Sequence, residues 1–234
     1  MKGAGRGRRR FLDFLLTQTV PDYLPLLQRY TRAVRARNAL LKRKPIDEAS
    51  LDSFTAEVIQ LGNQLIAHRH DLMPALAPRI QAAHKRIAPN GEELRVELIP
   101  SVKKDFTAEL ELTRDRERKH GATIIGPHRD EIALLLHDRS AADYASEGQK
   151  RTIAIALKIA QAEHLTEIHG APPVLLIDDV MGELDEHRRQ GFLPLLEQCG
   201  SGRGQVFMTC TEENWPRELG RTLQRWKVKG GTIS

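Results

Sequence analysis

Two carboxylates stand side by side at the end of an apolar run, Val174-Leu175-Leu176-Ile177-Asp178-Asp179. Such a run, entered through Pro172-Pro173, reads as a strand buried on both faces. The carboxyl ends of such strands are where α/β sheets bind ligands. There Asp178 could hold a Mg²⁺ ion, directly or through water, and Asp179 could orient or deprotonate an attacking water. A strand that ends in a solvated aspartate pair uses the same residues. A second candidate is Ala145-Ser146-Glu147-Gly148-Gln149-Lys150-Arg151, directly ahead of an alanine-rich helical pattern. Ser146 suits an N-cap, Gly148 allows close backbone approach, and Lys150 and Arg151 add positive charge. A helix N-terminus with free N–H groups suits a terminal phosphate. A capped surface helix would look alike.

The elements that must position these residues show in the periodicity. Ile153 to Leu165 reads as an amphipathic helix between the two motifs, and Gln205 to Thr209 as a further strand like Val174 to Ile177. Leu94 to Leu98 and part of Ile132 to Leu136 alternate as half-buried strands. Helix, buried strand, helix, buried strand is the rhythm of an α/β sheet. Upstream, Leu26, Tyr30, Ala33, Val34, Leu40 and Leu41 recur at helical spacing between Tyr23 and Leu41, and Pro45 ends the pattern. Leu51, Phe54, Val58, Leu61, Leu65, His68 and Leu72 then form an a/d seam of about three heptads. An antiparallel hairpin or short coiled-coil arm is expected, or an ordinary helical bundle. Pro74, Pro78 and Pro89 predict breaks, with a short third helix from Arg79 to Ile87. The division expected is 1–90 for the helical arm and 91–234 for the α/β lobe.

Bulk properties narrow the class. The chain has 234 residues, 40% hydrophobic and 29% charged, a globular balance. No apolar run approaches the roughly 20 residues that span a bilayer, and Phe11 to Leu16 is too short for a signal-peptide core. A cytoplasmic protein without membrane contact is expected. Cys199 and Cys210 have no metal or redox spacing, and His68 and His70 face different ways on a helix. The net charge of +5 favours an anionic partner such as nucleic acid. Arg29, Arg32, Arg35, Arg37, Lys42, Arg43 and Lys44 are the candidates for phosphate contacts, or else a solvated helix face.

Order and spacing join the motifs. A Ser-x-Gly-Gln helix start is followed one helix later by a strand ending in Asp-Asp, and then by Gly182-Glu183-Leu184-Asp185. With Ile125-Gly126-Pro127-His128-Arg129-Asp130-Glu131 and Arg8 to Asp13, this resembles the ABC ATPases and, within them, the RecF family of DNA repair proteins. The resemblance matches Ser146–Arg151 to the signature motif, Val174–Asp179 to Walker B and Glu183-Leu184-Asp185 to the D-loop. It implies an incomplete ABC-ATPase head of α/β class with a helical, short coiled-coil hairpin subdomain. It further implies ATP and Mg²⁺ sandwiched in an ATP-dependent homodimer. Ser146, Gly148, Gln149 and Lys150 would face the partner's ATP, Asp178 would serve Mg²⁺, Asp179 the water, and Asp185 would link the two sites. The implied partners are DNA at a gap or a single-strand to double-strand junction and recombination mediator proteins, with recombinase loading as the outcome.

The sequence departs from the family in one respect that matters. Nothing in it matches Gly-x-x-x-x-Gly-Lys-[Ser/Thr], and Gly3-Ala4-Gly5-Arg6-Gly7 runs into arginines instead. Alone, the chain is expected to bind ATP poorly, to leave apolar sheet surface uncovered and to be poorly stable. The alternative function is a non-catalytic interaction subunit that docks a separate ATP-binding partner. An SMC-type protein is disfavoured by the short arm.

Overall fold

The computed structural model describes residues 4–88, 91–178, 190, 194, 204–211 and 224–233. Helices α1 (Ala4–Thr19), α2 (Tyr23–Leu41) and α3 (Glu48–Ile87) lead the chain. Asp47 caps α3 by accepting from the Ser50 amide at 3.1 Å. The heptad seam faces inward, with Leu51, Val58, Leu61, Leu65 and Leu72 buried, and α3 packs along α2 as the expected hairpin.

One correction concerns the prolines. Helix α3 runs unbroken for 40 residues with Pro74 and Pro78 inside it, so no separate helix begins at Arg79. Both rings lie on the exposed side, while Leu72, Met73, Leu76, Ile80 and Ile87 are buried on the other. Those five side chains contribute roughly 1.5–3 kcal/mol each, more than two prolines at about 3 kcal/mol apiece take away.

Strands β1 (Leu94–Ile99) and β2 (Glu131–Leu136) pair antiparallel in the register Leu94 to Leu136 through Ile99 to Glu131. Leu94, Val96, Ile132, Leu134 and Leu136 turn to the core. Between the strands lie α4 (Phe106–His120) and a 3-10 turn (Pro127–Arg129). After β2 come the short β3 (Arg139–Ser140), α5 (Ala141–Tyr144) and α6 (Glu147–His169). One cluster of buried residues runs from Leu12 to Leu165 and joins these elements.

Strands β4 (Leu175–Asp178) and β5 (Val206–Thr209) pair in parallel, Leu175 to Val206 through Asp178 to Thr209. Leu175, Ile177, Val206 and Met208 pack on Ile155, Ala156, Ile159 and Ala162 of α6 and on Ala83 and Ile87 of α3. The reading of Val174–Ile177 as buried on both faces is corrected. Among the described residues, α3 and α6 cover one face, and Val174 and Leu176 on the other are 57% and 79% exposed. A last hairpin, β6 (Val228–Lys229) and β7 (Thr232–Ile233), closes the described residues. No described helix is long and apolar enough to cross a membrane.

Candidate functional site

The start of α6 is a reciprocal cap. The Ser146 hydroxyl accepts from the Gln149 amide at 3.2 Å, and Gln149 Oε1 accepts from the Ser146 amide at 2.8 Å. This arises because Ser at the cap and Gln three residues on are each the right length to reach the other's backbone. Ser146 and Glu147 are exposed and Gly148 half-buried, so the first N–H groups of the helix open toward solvent. Lys150 Nζ lies 3.0 Å from Glu147 Oε1 and holds that carboxyl below the usual range. The motif is thus a charged, anion-compatible helix start.

Asp178 ends β4 on the exposed side of the sheet, and Thr209 Oγ1 on β5 donates to it at 2.6 Å. A solvent-facing carboxylate, pinned through one oxygen at the carboxyl edge of a parallel pair, suits a hydrated Mg²⁺. Asp179 and the Gly182–Asp185 motif lie outside the described residues. The hydrogen bonds of the described residues do not join Asp178 to the Ser146 cluster. The solvent-facing start of α6 and the Asp178 carboxylate are two separate clusters, with α6 between them in the chain.

The basic candidates separate by burial. Arg29, Arg32, Arg35, Lys42, Arg43 and Lys44 are exposed on α2 and the turn after it. Arg32 and Arg35 flank a shallow depression with Leu27, Gln28 and Thr31. Arg37 is a correction. It lies about 160° around the helix from Arg35 and is 2% exposed. It donates to Thr55 Oγ1 at 2.8 Å, Thr123 Oγ1 at 2.9 Å and Glu117 Oε2 at 2.7 Å. A guanidinium committed in this way cannot reach a phosphate.

The Gly126–Glu131 segment has a structural task. Arg69 of α3, also 2% exposed, donates to the Pro127 carbonyl at 2.5 Å, Asp130 Oδ2 at 2.7 Å and Asp13 Oδ1 at 2.8 Å. Asp13 also accepts from the Tyr23 hydroxyl at 2.7 Å. Arg9 reaches the Asp130 carbonyl at 2.6 Å and Arg8 the Glu131 carboxylate at 2.8 Å. Burial pushes the Asp130 carboxyl up, while the Ser101 amide and Arg69 pull it down. Tyr30 Oη and His128 Nδ1 are 2.7 Å apart, and His128 Nε2 is 3.2 Å from the Thr123 carbonyl. A carbonyl only accepts, so Nε2 carries the proton and Nδ1 accepts from Tyr30. Burial lowers the imidazole to about 4, which fixes it as neutral at pH 7. Gly126 has φ 127°, and a Cβ there would meet Tyr30 Oη at 2.6 Å. The segment ties α1, α2 and α3 to the start of β2. Its clustered Gly, Pro, His and Asp marked it in the sequence, but the Arg8, Arg9, Tyr30 and Arg69 that hold it lie more than fifty residues away.

Comparison with known proteins adds identity to this geometry. No family model matches the chain. A DNA replication and repair protein RecF from Symbiobacterium thermophilum is 36% identical across the whole chain, which covers 65% of that protein. The RecF of Rippkaea orientalis is 33% identical, again over all of the chain and 67% of the relative. The chain thus spans about two thirds of the length of these relatives. A solved structure of the recombination mediator protein RecF-ATPrS in the RecFOR pathway superposes with a TM-score of 0.80 at 26% identity, covering 98% of this chain and 62% of that one. The structure of RecF-ATP superposes with a TM-score of 0.79. The chain belongs to the RecF family of DNA replication and repair proteins, as an α/β head of ABC-ATPase type with a helical subdomain.

Proposed function

We propose that this chain supplies the signature and Walker B portion of a RecF-type ATPase. In this reading it contacts Mg²⁺-ATP across a homodimer interface and acts on DNA at gaps or single-strand to double-strand junctions. Recombination mediator proteins are its partners, recombinase loading is the outcome, and the cytoplasm is its place. The observation that carries the reading is the Ser146–Gln149 cap, which leaves the start of α6 open to solvent. A terminal phosphate placed there meets free N–H groups and the positive end of a 23-residue helix. Ser146, Gly148, Gln149 and Lys150 face it from this copy, Asp178 takes the Mg²⁺ side of the other half-site, and Asp179 and Asp185 keep the water-orienting and linking roles. Because the sequence contains no Gly-x-x-x-x-Gly-Lys-[Ser/Thr] pattern, the cradle and lysine must come from elsewhere.

The outer face of β4 and β5, where Leu176 and Phe207 are 79% and 47% exposed and no described element packs, supports a second reading. In it the chain is a non-catalytic interaction subunit docked on a separate ATP-binding protein. One experiment separates the two. The 234-residue chain is mixed with a RecF protein that carries the P-loop, and light scattering follows heterodimer formation with and without a non-hydrolysable ATP analogue. The first reading expects pairing only with nucleotide, abolished by Ser146→Arg. Nucleotide-independent pairing that survives Ser146→Arg sinks it in favour of the second.

A further inference from the structure

Glu92 lies in the short stretch between α3 and β1, and its carboxylate meets two other elements. Oε1 accepts from Gln149 Nε2 of α6 at 3.0 Å. Oε2 is buried, has no hydrogen-bond partner among the described residues, and stands 3.8 Å from His84 Nε2. His84, in the last turn of α3, is 1% exposed, and neither of its ring nitrogens is hydrogen-bonded among the described residues. The α6 cap depends on the direction of one amide. Gln149 can close on the Ser146 N–H only with its oxygen. A carboxylate only accepts, so Glu92 demands the NH₂ group and thereby sends the oxygen to Ser146. Turned by 180°, the amide would face N–H with NH₂ and carboxylate with carbonyl, exchanging two hydrogen bonds for two repulsions.

We propose that Glu92 is a positioning residue for the start of α6, fixing the direction of the Gln149 amide and registering the helix against His84 at the end of α3. Its functional meaning rests on the reading of that helix start as a phosphate contact. The amide geometry itself does not depend on nucleotide.

The test has two arms on the 234-residue chain. Hydrogen exchange by NMR reads the Ser146 amide, with Leu61 in α3 and Val96 in β1 as controls. Glu92→Ala lowers Ser146 protection about tenfold and leaves the controls alone, whereas Glu92→Gln, which can still accept through its own carbonyl, stays close to wild type. Unchanged Ser146 protection in Glu92→Ala overturns the proposal, and so does an equal fall at Leu61 and Val96. The second arm repeats the nucleotide-dependent pairing with a P-loop-bearing RecF protein. Weakening of about tenfold in Glu92→Ala, with Glu92→Gln unaffected, supports the role in nucleotide contact. Unchanged pairing overturns that role. A wild-type chain that never pairs overturns the phosphate reading instead and leaves the exchange arm to decide on Glu92.

Discussion

Arg37 and Glu117 form an ion pair of 2.7 Å with side chains 2% and 0% exposed, fastening α2 to α4. Both remaining ends are satisfied. Glu117 Oε1 accepts from the Ile124 amide at 2.8 Å, and Arg37 spends its other donors on Thr55 and Thr123. Removing one member strands a buried charge, so Arg37→Met costs about 3–5 kcal/mol. Adding Glu117→Leu recovers part of that loss. Urea unfolding of the three variants measures both, and a loss under about 1 kcal/mol in the single variant contradicts the account.

Gly126 admits no side chain. Its positive φ strains an L-residue, and a Cβ would stand 3.0 Å from Phe106 Cζ as well as 2.6 Å from Tyr30 Oη. Gly126→Ala destabilises by about 2–4 kcal/mol. Tyr30→Phe in the same chain relieves part of the clash, and the two changes together fall short of additive in thermal unfolding.

His128 gives stability a pH dependence. The unfolded imidazole takes its proton near 6.5 and the folded one near 4. Between those values the unfolded state binds more protons, so stability is full above pH 6.5 and falls as pH drops toward 4. The loss approaches about 3 kcal/mol, at roughly 1.4 kcal/mol for each pH step between the two values. Burial lowers His84 and His164 as well, in the same direction. His128→Gln keeps an acceptor and a donor but cannot titrate, so its unfolding midpoint varies less between about pH 7 and pH 4.5. Equal slopes for variant and wild type refute this.

On the proposed DNA-binding reading, the exposed stripe on α2 and the buried Arg37 behave differently. Arg32→Glu with Arg35→Glu weakens binding to gapped duplex and lowers the salt slope by about one for each phosphate no longer neutralised. Arg37→Lys lowers stability without changing that slope. Fluorescence anisotropy across a salt series measures both, and an unchanged slope in the double variant removes the stripe from the interface.

Pro74 and Pro78 interrupt hydrogen bonding on the wet side of a helix that forms regardless. Pro78→Ala restores one rung and raises stability by about 1–3 kcal/mol. A lower melting temperature would show that the packing of α3 requires the proline geometry.

Local periodicity carried much of this fold. The seam from Leu51 to Leu72 and the alternation from Leu94 to Leu98 each reported the face toward the core, whereas the unbroken apolar run through Ile177 gave a strand but no face. Helix α4 escaped notice because it buries only Phe106, Leu110 and Glu117 among charged residues. Arg37 was misread by residue type, although it continues the inward steps Tyr30, Val34 and Leu41. The prolines misled because propensity is local while the burial that outweighs it is not. At the candidate site, the cap of α6 was legible because both partners lie within four residues. Glu92 was not, since its partners come from two other elements.

A 40-residue helix is about 60 Å long. One end of α3 belongs to the basic hairpin, and the other stops at His84 and Glu92 beside the start of α6. A tilt of about 5° around its middle displaces each end by roughly 2.6 Å, as long as the rod stays stiff. Pro74 and Pro78 sit between the two ends and remove rungs on one side only, so α3 is most compliant there. A bend at the two rings would therefore tilt the end of α3 that carries His84 relative to the hairpin end.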